Sequence, residues 1–139
     1  MPSLDNFVLD SYALIGYLEN ESFAERIEEI LNNTKKGYSR LYLHAIHLGE
    51  VYYITLREQG KNTADLAYSR IKSFPLNFIE LIDEELLLTA STLKASYPIS
   101  YADSFAAAMA KINQCLLLTG DPEFKALEKE GIIEISWLA

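Results

Sequence analysis

Five short apolar runs, separated by stretches of helical periodicity, constrain this chain more than any other feature. The runs are Phe7–Leu9, Leu41–Leu43, Phe78–Ile82, Cys115–Leu118 and Ile132–Ile135. Each is nearly continuous in hydrophobicity and too short to be a helix, which is the pattern of strands buried on both faces. Between them, apolar residues recur at Leu14, Ile15 and Leu18, then at Phe23, Ile27, Ile30 and Leu31, and along Ile46, Val51, Ile54 and Leu56, all on a helical period. A fourth helix, capped by Asn62 or Thr63, reaches Ile71, where Ser73-Phe74-Pro75 closes it. Asp83-Glu84-Glu85 opens a fifth that Pro98 stops, Ser100-Tyr101-Ala102-Asp103 starts an alanine-rich sixth through Lys111, and Asp121-Pro122 turns into a short seventh. Strands alternating with helices predict an α/β fold of three layers, a parallel five-stranded sheet flanked by helices on both faces.

The connections are short and no linker interrupts them, so the whole chain, residues 1–139, is expected to be a single domain. Half of its residues are hydrophobic and 23% are charged, far from the composition of a disordered chain. Cys115 is the sole cysteine and cannot pair within the chain, which fits a reducing cytoplasm. The first residues, Met1 to Asn6, carry no basic segment, and no apolar run approaches the ~20 residues that span a bilayer. A cytoplasmic protein without a membrane segment is expected.

Ligands of open parallel sheets bind beyond the carboxyl ends of the strands. Asp10 ends the first strand and Asp121 follows the fourth, while Asp103 opens the sixth helix. Helix capping explains each of these acids by itself, because a carboxylate at a helix start accepts free N–H groups and is favoured by the dipole. Glu50 is different. It lies mid-helix among Ile46, Leu48, Val51 and Ile54, where a buried carboxylate needs a partner or a metal unless it falls on the solvated stripe with Arg57.

Acids converging at one sheet edge repel one another, and a hard divalent cation relieves the repulsion. Mg²⁺ takes oxygen ligands and suits a shallow site of Asp and Glu, where it can activate water against a phosphodiester. Thr119, two residues before Asp121, and Ser11 are hydroxyls that can position water or a carboxylate there, or serve only the turn and the cap.

Val8-Leu9-Asp10-Ser11-Tyr12-Ala13-Leu14, Leu48-Gly49-Glu50-Val51, Tyr101-Ala102-Asp103-Ser104-Phe105-Ala106-Ala107-Ala108 and Leu118-Thr119-Gly120-Asp121-Pro122-Glu123-Phe124 follow in that order along the chain. The set resembles the four acidic motifs of the PIN-domain ribonucleases, and among them most the VapC-type toxins of prokaryotic toxin–antitoxin pairs. The resemblance implies an endoribonuclease dependent on Mg²⁺ or Mn²⁺, with Asp10, Glu50, Asp103 and Asp121 as catalytic, metal-binding acids and Ser11 and Thr119 in support. It further implies a first strand at the centre of the sheet, a homodimer and a protein antitoxin. Two positions depart from the pattern. His47 stands where many relatives carry a small hydroxyl or amide residue, and Asp121-Pro122-Glu123 replaces Asp-Arg-Asp, losing a base.

Other readings use the same residues. His44, His47 and Glu50 could be zinc ligands, although their i, i+3, i+6 spacing spreads them more widely than the usual i, i+4 pair. An aspartyl phosphatase would carry a second acid two residues after Asp10, where Tyr12 stands, and a phospho-receiver would need a late lysine that is not in place. A catalytically silent PIN-like binding module, its acids only capping helices, is the alternative from another class. The net charge of −8 disfavours strong non-specific RNA binding. Bound divalent ions would offset part of it, and Arg57, Lys61, Arg70, Lys72 and Lys111 are candidates for phosphate contacts. Several tyrosines, among them Tyr38, Tyr52 and Tyr68, could stack on bases or line a dimer interface.

Overall fold

The apolar run before Asp10 lies in the middle of the sheet. In the computed structural model, which describes residues 5–138, it belongs to strand β1 (Asp5–Leu9). The first four residues and the last, which the expected domain 1–139 includes, lie outside the described residues. Beside β1 run β2 (Ser39–His44), β3 (Asn77–Ile79), β4 (Leu116–Thr119) and β5 (Glu134–Trp137), all parallel, in the order β3-β2-β1-β4-β5. The first strand is central, as the resemblance implies. The chain builds outward from β1 to β3, then crosses back to lay β4 on the other side of β1. That reversal opens a crevice at the carboxyl ends of β1 and β4.

Alternation along β1 sorts the core into two halves. Val8 faces one side, with Leu86, Ala90 and Leu93 of helix α5 (Glu84–Ser96) and the interior of helix α6 (Tyr101–Asn113). Phe7 and Leu9 face the other, with Leu14 of α1 (Ser11–Leu18), Ile27 and Leu31 of α2 (Ala24–Lys35), Val51 of α3 (Ala45–Gln59) and Ile71, which belongs to α4 (Lys61–Lys72). Every residue of α6 from Asp103 to Ala110 is buried. A helix apolar around its circumference belongs in the interior, and its alanines let it approach the sheet closely. Asp103 is thereby carried inside with it. A 3₁₀ turn (Pro122–Phe124) and the short α7 (Lys125–Lys129) complete the chain before β5. Among the described residues no helix is long and apolar enough to cross a membrane.

Several boundaries differ from the sequence expectation by a residue or more, and three of the differences have a visible cause. The third strand stops at Ile79 instead of Ile82, because its only neighbour, β2, ends at the His44↔Ile79 pair and turns into α3. Leu81, left without a ladder, is 81% exposed. The fifth strand is shifted to 134–137, the register set by pairing of Leu116 with Glu134. The fourth helix starts earlier than Asn62, and neither Asn62 nor Thr63 caps it. Gly60, at φ 89°, bends the chain directly from α3 into α4 and no side chain caps the start.

Gly16 marks where α1 meets the start of α2. A Cβ there would clash with Cζ of the buried Phe23. Helix propensity alone favours Gly16→Ala by about 1 kcal/mol. The clash outweighs it, because the displaced atom belongs to a ring stacked on Tyr12 at 5.8 Å. Gly16→Ala is expected to destabilise the protein by about 1–3 kcal/mol in chemical denaturation, and a stabilised variant would refute this packing.

Candidate functional site

Asp10 sits one residue beyond β1 and is 1% exposed. Its Oδ1 accepts from the Ala13 N–H at 2.9 Å, the cap expected from the sequence. Its Oδ2 accepts from the Thr119 hydroxyl, which closes β4 one strand away and is fully buried. Thr119 Oγ1 also accepts from the Asp121 N–H at 3.1 Å. One hydroxyl therefore joins the ends of the central strand and its neighbour and ties two acids together. Asp121 in turn caps the 3₁₀ turn, its Oδ1 accepting from the Glu123 N–H at 2.9 Å.

Asp103 enters from α6. Ser100 Oγ caps that helix by accepting the Asp103 N–H at 3.1 Å, so the serine half of the capping pattern is formed. Among the described residues no group donates to the Asp103 carboxylate itself, which is left to face other acids. Asp103, Asp121 and Glu123 each offer a carboxylate oxygen, and these atoms lie within 4.8 Å of one another.

The fourth acid, Glu50, reaches the same place from α3. It is half-buried, and its Oε1 is enclosed without a hydrogen-bond partner among the described residues. Capping cannot account for it.

The proximity of the acids shapes their electrostatics. Burial pushes the Asp10 carboxyl from 3.8 up to about 7, against the lowering effect of Thr119 and Ala13, with the charges of Asp121 and Glu50 adding to the rise. Asp103 goes up to about 8, through burial first and then through the charges of Asp121, Asp10, Glu123 and Glu50. Burial also raises Glu50, and the Ser11 side chain pulls it the other way. Burial beside other acids thus lets Asp10 and Asp103 retain protons into the neutral range. A divalent ion could replace those protons, and the all-oxygen donor set fits a hard cation such as Mg²⁺ or Mn²⁺. The orphaned Oε1 of Glu50 is a further acceptor awaiting a donor.

All four acids picked from the sequence thus meet, and both hydroxyls lie beside them. Glu123 is the acid that sequence reasoning missed. The signal was its position two residues after Asp121, read there only for the base lost at Pro122.

The histidines are engaged elsewhere. His44 Nδ1 accepts from the Ile46 N–H at 3.0 Å and Nε2 donates to the Leu81 carbonyl at 3.1 Å, so neither nitrogen is free for zinc. His47 is bound through Nε2 to the Ala102 carbonyl. The candidate bases also have other neighbours. Lys61 pairs with Asp65 at 2.6 Å, while Arg57, Arg70 and Lys72 lie over the rings of Tyr53, Tyr17 and Phe78. Tyr38 and Tyr68 are exposed, whereas the Tyr52 hydroxyl is committed to Asp65 at 2.7 Å.

The family model described as PIN domain matches residues 7–130. No curated protein matches the sequence. Solved structures share the fold. VapBC2 from Rickettsia felis, solved with a DNA fragment from its promoter, aligns with a TM-score of 0.74 at 13% identity over 96% of this chain and 99% of that one. VapBC-1 from nontypeable Haemophilus influenzae gives 0.69 at 21% identity over 96% and 98%. VapC20 from Mycobacterium tuberculosis, described as a sarcin–ricin loop cleaving toxin, gives 0.67 at 14% identity over 86% and 93%.

Proposed function

Because the chain belongs to the PIN domain family, we propose that it is a metal-dependent endoribonuclease and the toxin of a toxin–antitoxin pair. The observation that carries this reading is the convergence of Asp10, Glu50, Asp103, Asp121 and Glu123 at the carboxyl edge of the sheet. Acids that only capped helices would have no reason to meet there. Protons held to neutral pH at two of them are the mark of a site built for a cation.

Asp103, Asp121 and Glu123 are the residues that would hold the ion, with Asp10 and Glu50 beside them. Bound there, Mg²⁺ or Mn²⁺ would neutralise charge on a phosphodiester and make water a stronger nucleophile. The chain supplies the rest. Asp10 is fixed by two hydrogen bonds and cannot swing when charge enters the site. Thr119 holds the Asp121 backbone and the Asp10 carboxylate in one frame. Glu50, whose Oε1 finds no donor among the described residues, is suited to accept a hydrogen bond from an attacking water and then its proton. The net charge of −8, with Arg57, Lys61, Arg70 and Lys72 held against other side chains, predicts weak non-specific affinity for arbitrary RNA.

The VapBC assemblies of similar fold support a protein antitoxin as partner. A homodimer belongs to the same reading, and exposed Leu87, Leu88 and Tyr101 offer apolar surface for it.

The test is cleavage of a panel of structured RNAs with Mg²⁺ or Mn²⁺. Wild type is expected to cut at least one of them, and Asp103→Asn to lose more than about a hundredfold, the scale on which removal of one electrostatic catalytic group acts. Equal cutting by both would overturn the assigned site. Cutting by neither across the panel would favour a catalytically silent PIN-like binding module.

A further inference from the structure

His47 occupies an unusual place for an imidazole. It is completely buried in α3, one turn before Glu50. Its Nε2 lies 2.9 Å from the carbonyl oxygen of Ala102, the residue immediately before Asp103. A carbonyl only accepts, so Nε2 carries the proton and Nδ1 is bare. That second nitrogen is enclosed without a partner among the described residues. Burial holds the ring well below its usual value, at about 4, so the neutral tautomer is the one present at neutral pH.

Among the described residues this is the only side-chain hydrogen bond between α3 and α6. Apolar packing tolerates small slides of one helix along another, whereas a hydrogen bond to a named carbonyl fixes the register. The two helices carry Glu50 and Asp103, acids from opposite sides of the crevice. The cost of the arrangement is visible in the unsatisfied Nδ1, a loss that a core leucine would avoid.

We propose that His47 is a positioning residue, which locks the first turn of α6 against α3 and so sets Asp103, a holder of the proposed cation, in its place beside Glu50. The inference rests on the metal-dependent reading given above. Its ligand probe is Mn²⁺ alone, titrated into the intact chain and followed by loss of the free-ion EPR signal, with thermal unfolding of each metal-free variant measured alongside.

His47→Leu fills the volume without a donor, and His47→Gln keeps an N–H at the end of a side chain of similar reach. The expected result is that His47→Leu unfolds at or above the wild-type temperature without metal, yet binds Mn²⁺ about 10–100-fold more weakly, the range found when a group behind a metal ligand is removed. His47→Gln is expected to restore most of that loss. Should His47→Leu fail to fold, the flexible and donor-free His47→Met takes its place. Equal Mn²⁺ affinity in wild type and the donor-free variant, or no rescue by Gln, would overturn the role of His47 and leave the metal site standing. Absence of Mn²⁺ binding by wild type would instead overturn the metal-dependent reading, and the positioning role with it.

Discussion

Asp10→Asn is expected to make the metal-free protein more stable at pH 8 while abolishing RNA cleavage. The two effects have one cause. Folding encloses the Asp10 carboxylate among other acids, and its pKa rises from 3.8 to about 7. At pH 8 the folded protein must carry that charge in a setting that disfavours it, a penalty of up to about 4 kcal/mol at 1.36 kcal/mol per pH unit. Asn is close in shape and removes the charge. Its Oδ1 can still accept from Ala13, and its amide can donate to the Thr119 hydroxyl in place of the bond that Thr119 now donates. The local frame therefore survives, and denaturant titration at pH 8 should show a gain of a few kcal/mol. The charge that is lost is the one that, in the proposed nuclease, draws the cation into the site. A gain in stability with a loss of activity is the pattern expected where function is held at the expense of folding. A destabilised Asp10→Asn protein would mean that the carboxylate serves the fold.

Stability of the metal-free wild type is expected to fall as pH rises from about 4 to 8. Asp10 and Asp103 keep their protons up to about 7 and about 8 when folded, and the unfolded chain releases them near 3.8. Across that window the folded state binds more protons than the unfolded one, so raising the pH favours unfolding. The contribution is fully present below pH 3.8 and is lost once pH passes the folded values. Glu50, raised by burial, works in the same direction. Saturating Mg²⁺ should remove most of the decline, because a bound ion favours the deprotonated acids and stabilises only the folded state. Thermal unfolding at half-unit pH steps, with and without Mg²⁺, checks this. Superimposable curves would show that the acids do not bind the ion.

The parallel α/β architecture was readable because strand and helix periods are local properties of the chain. The continuous hydrophobicity of Phe7–Leu9 and Cys115–Leu118 already required helices on both faces, and the positions of Asp10 and Asp121 after their strands followed at once. Boundaries were less legible at the edges. Phe78–Ile82 has strand-like residues throughout, yet only Asn77–Ile79 finds a ladder, because its length is fixed by where β2 ends. No local signal reports a neighbour's end. The start of α4 misled for a similar reason, since one glycine with positive φ replaced the side-chain cap that Asn62 or Thr63 would have provided.

The same division holds at the site. Chemical type and order along the chain picked out Asp10, Glu50, Asp103 and Asp121, and burial among apolar neighbours marked Glu50 as the acid that capping leaves unexplained. Sequence could not weigh Glu123, because its meaning depends on a 3₁₀ turn that brings its carboxylate within 4.8 Å of Asp103 and Asp121. Nor could it tell that His47 bonds to Ala102, 55 residues away, instead of joining His44 around a metal. The sequence by itself determined the layers and the kinds of group that the crevice would contain, while the central position of the acid-ending strand was implied only by the family resemblance. Only the tertiary structure decided how those groups act on one another. Repulsion and burial act through space, so the raised proton affinities of Asp10 and Asp103, the Thr119 bridge and the His47 lock exist only once β1, β4, α3 and α6 are packed together.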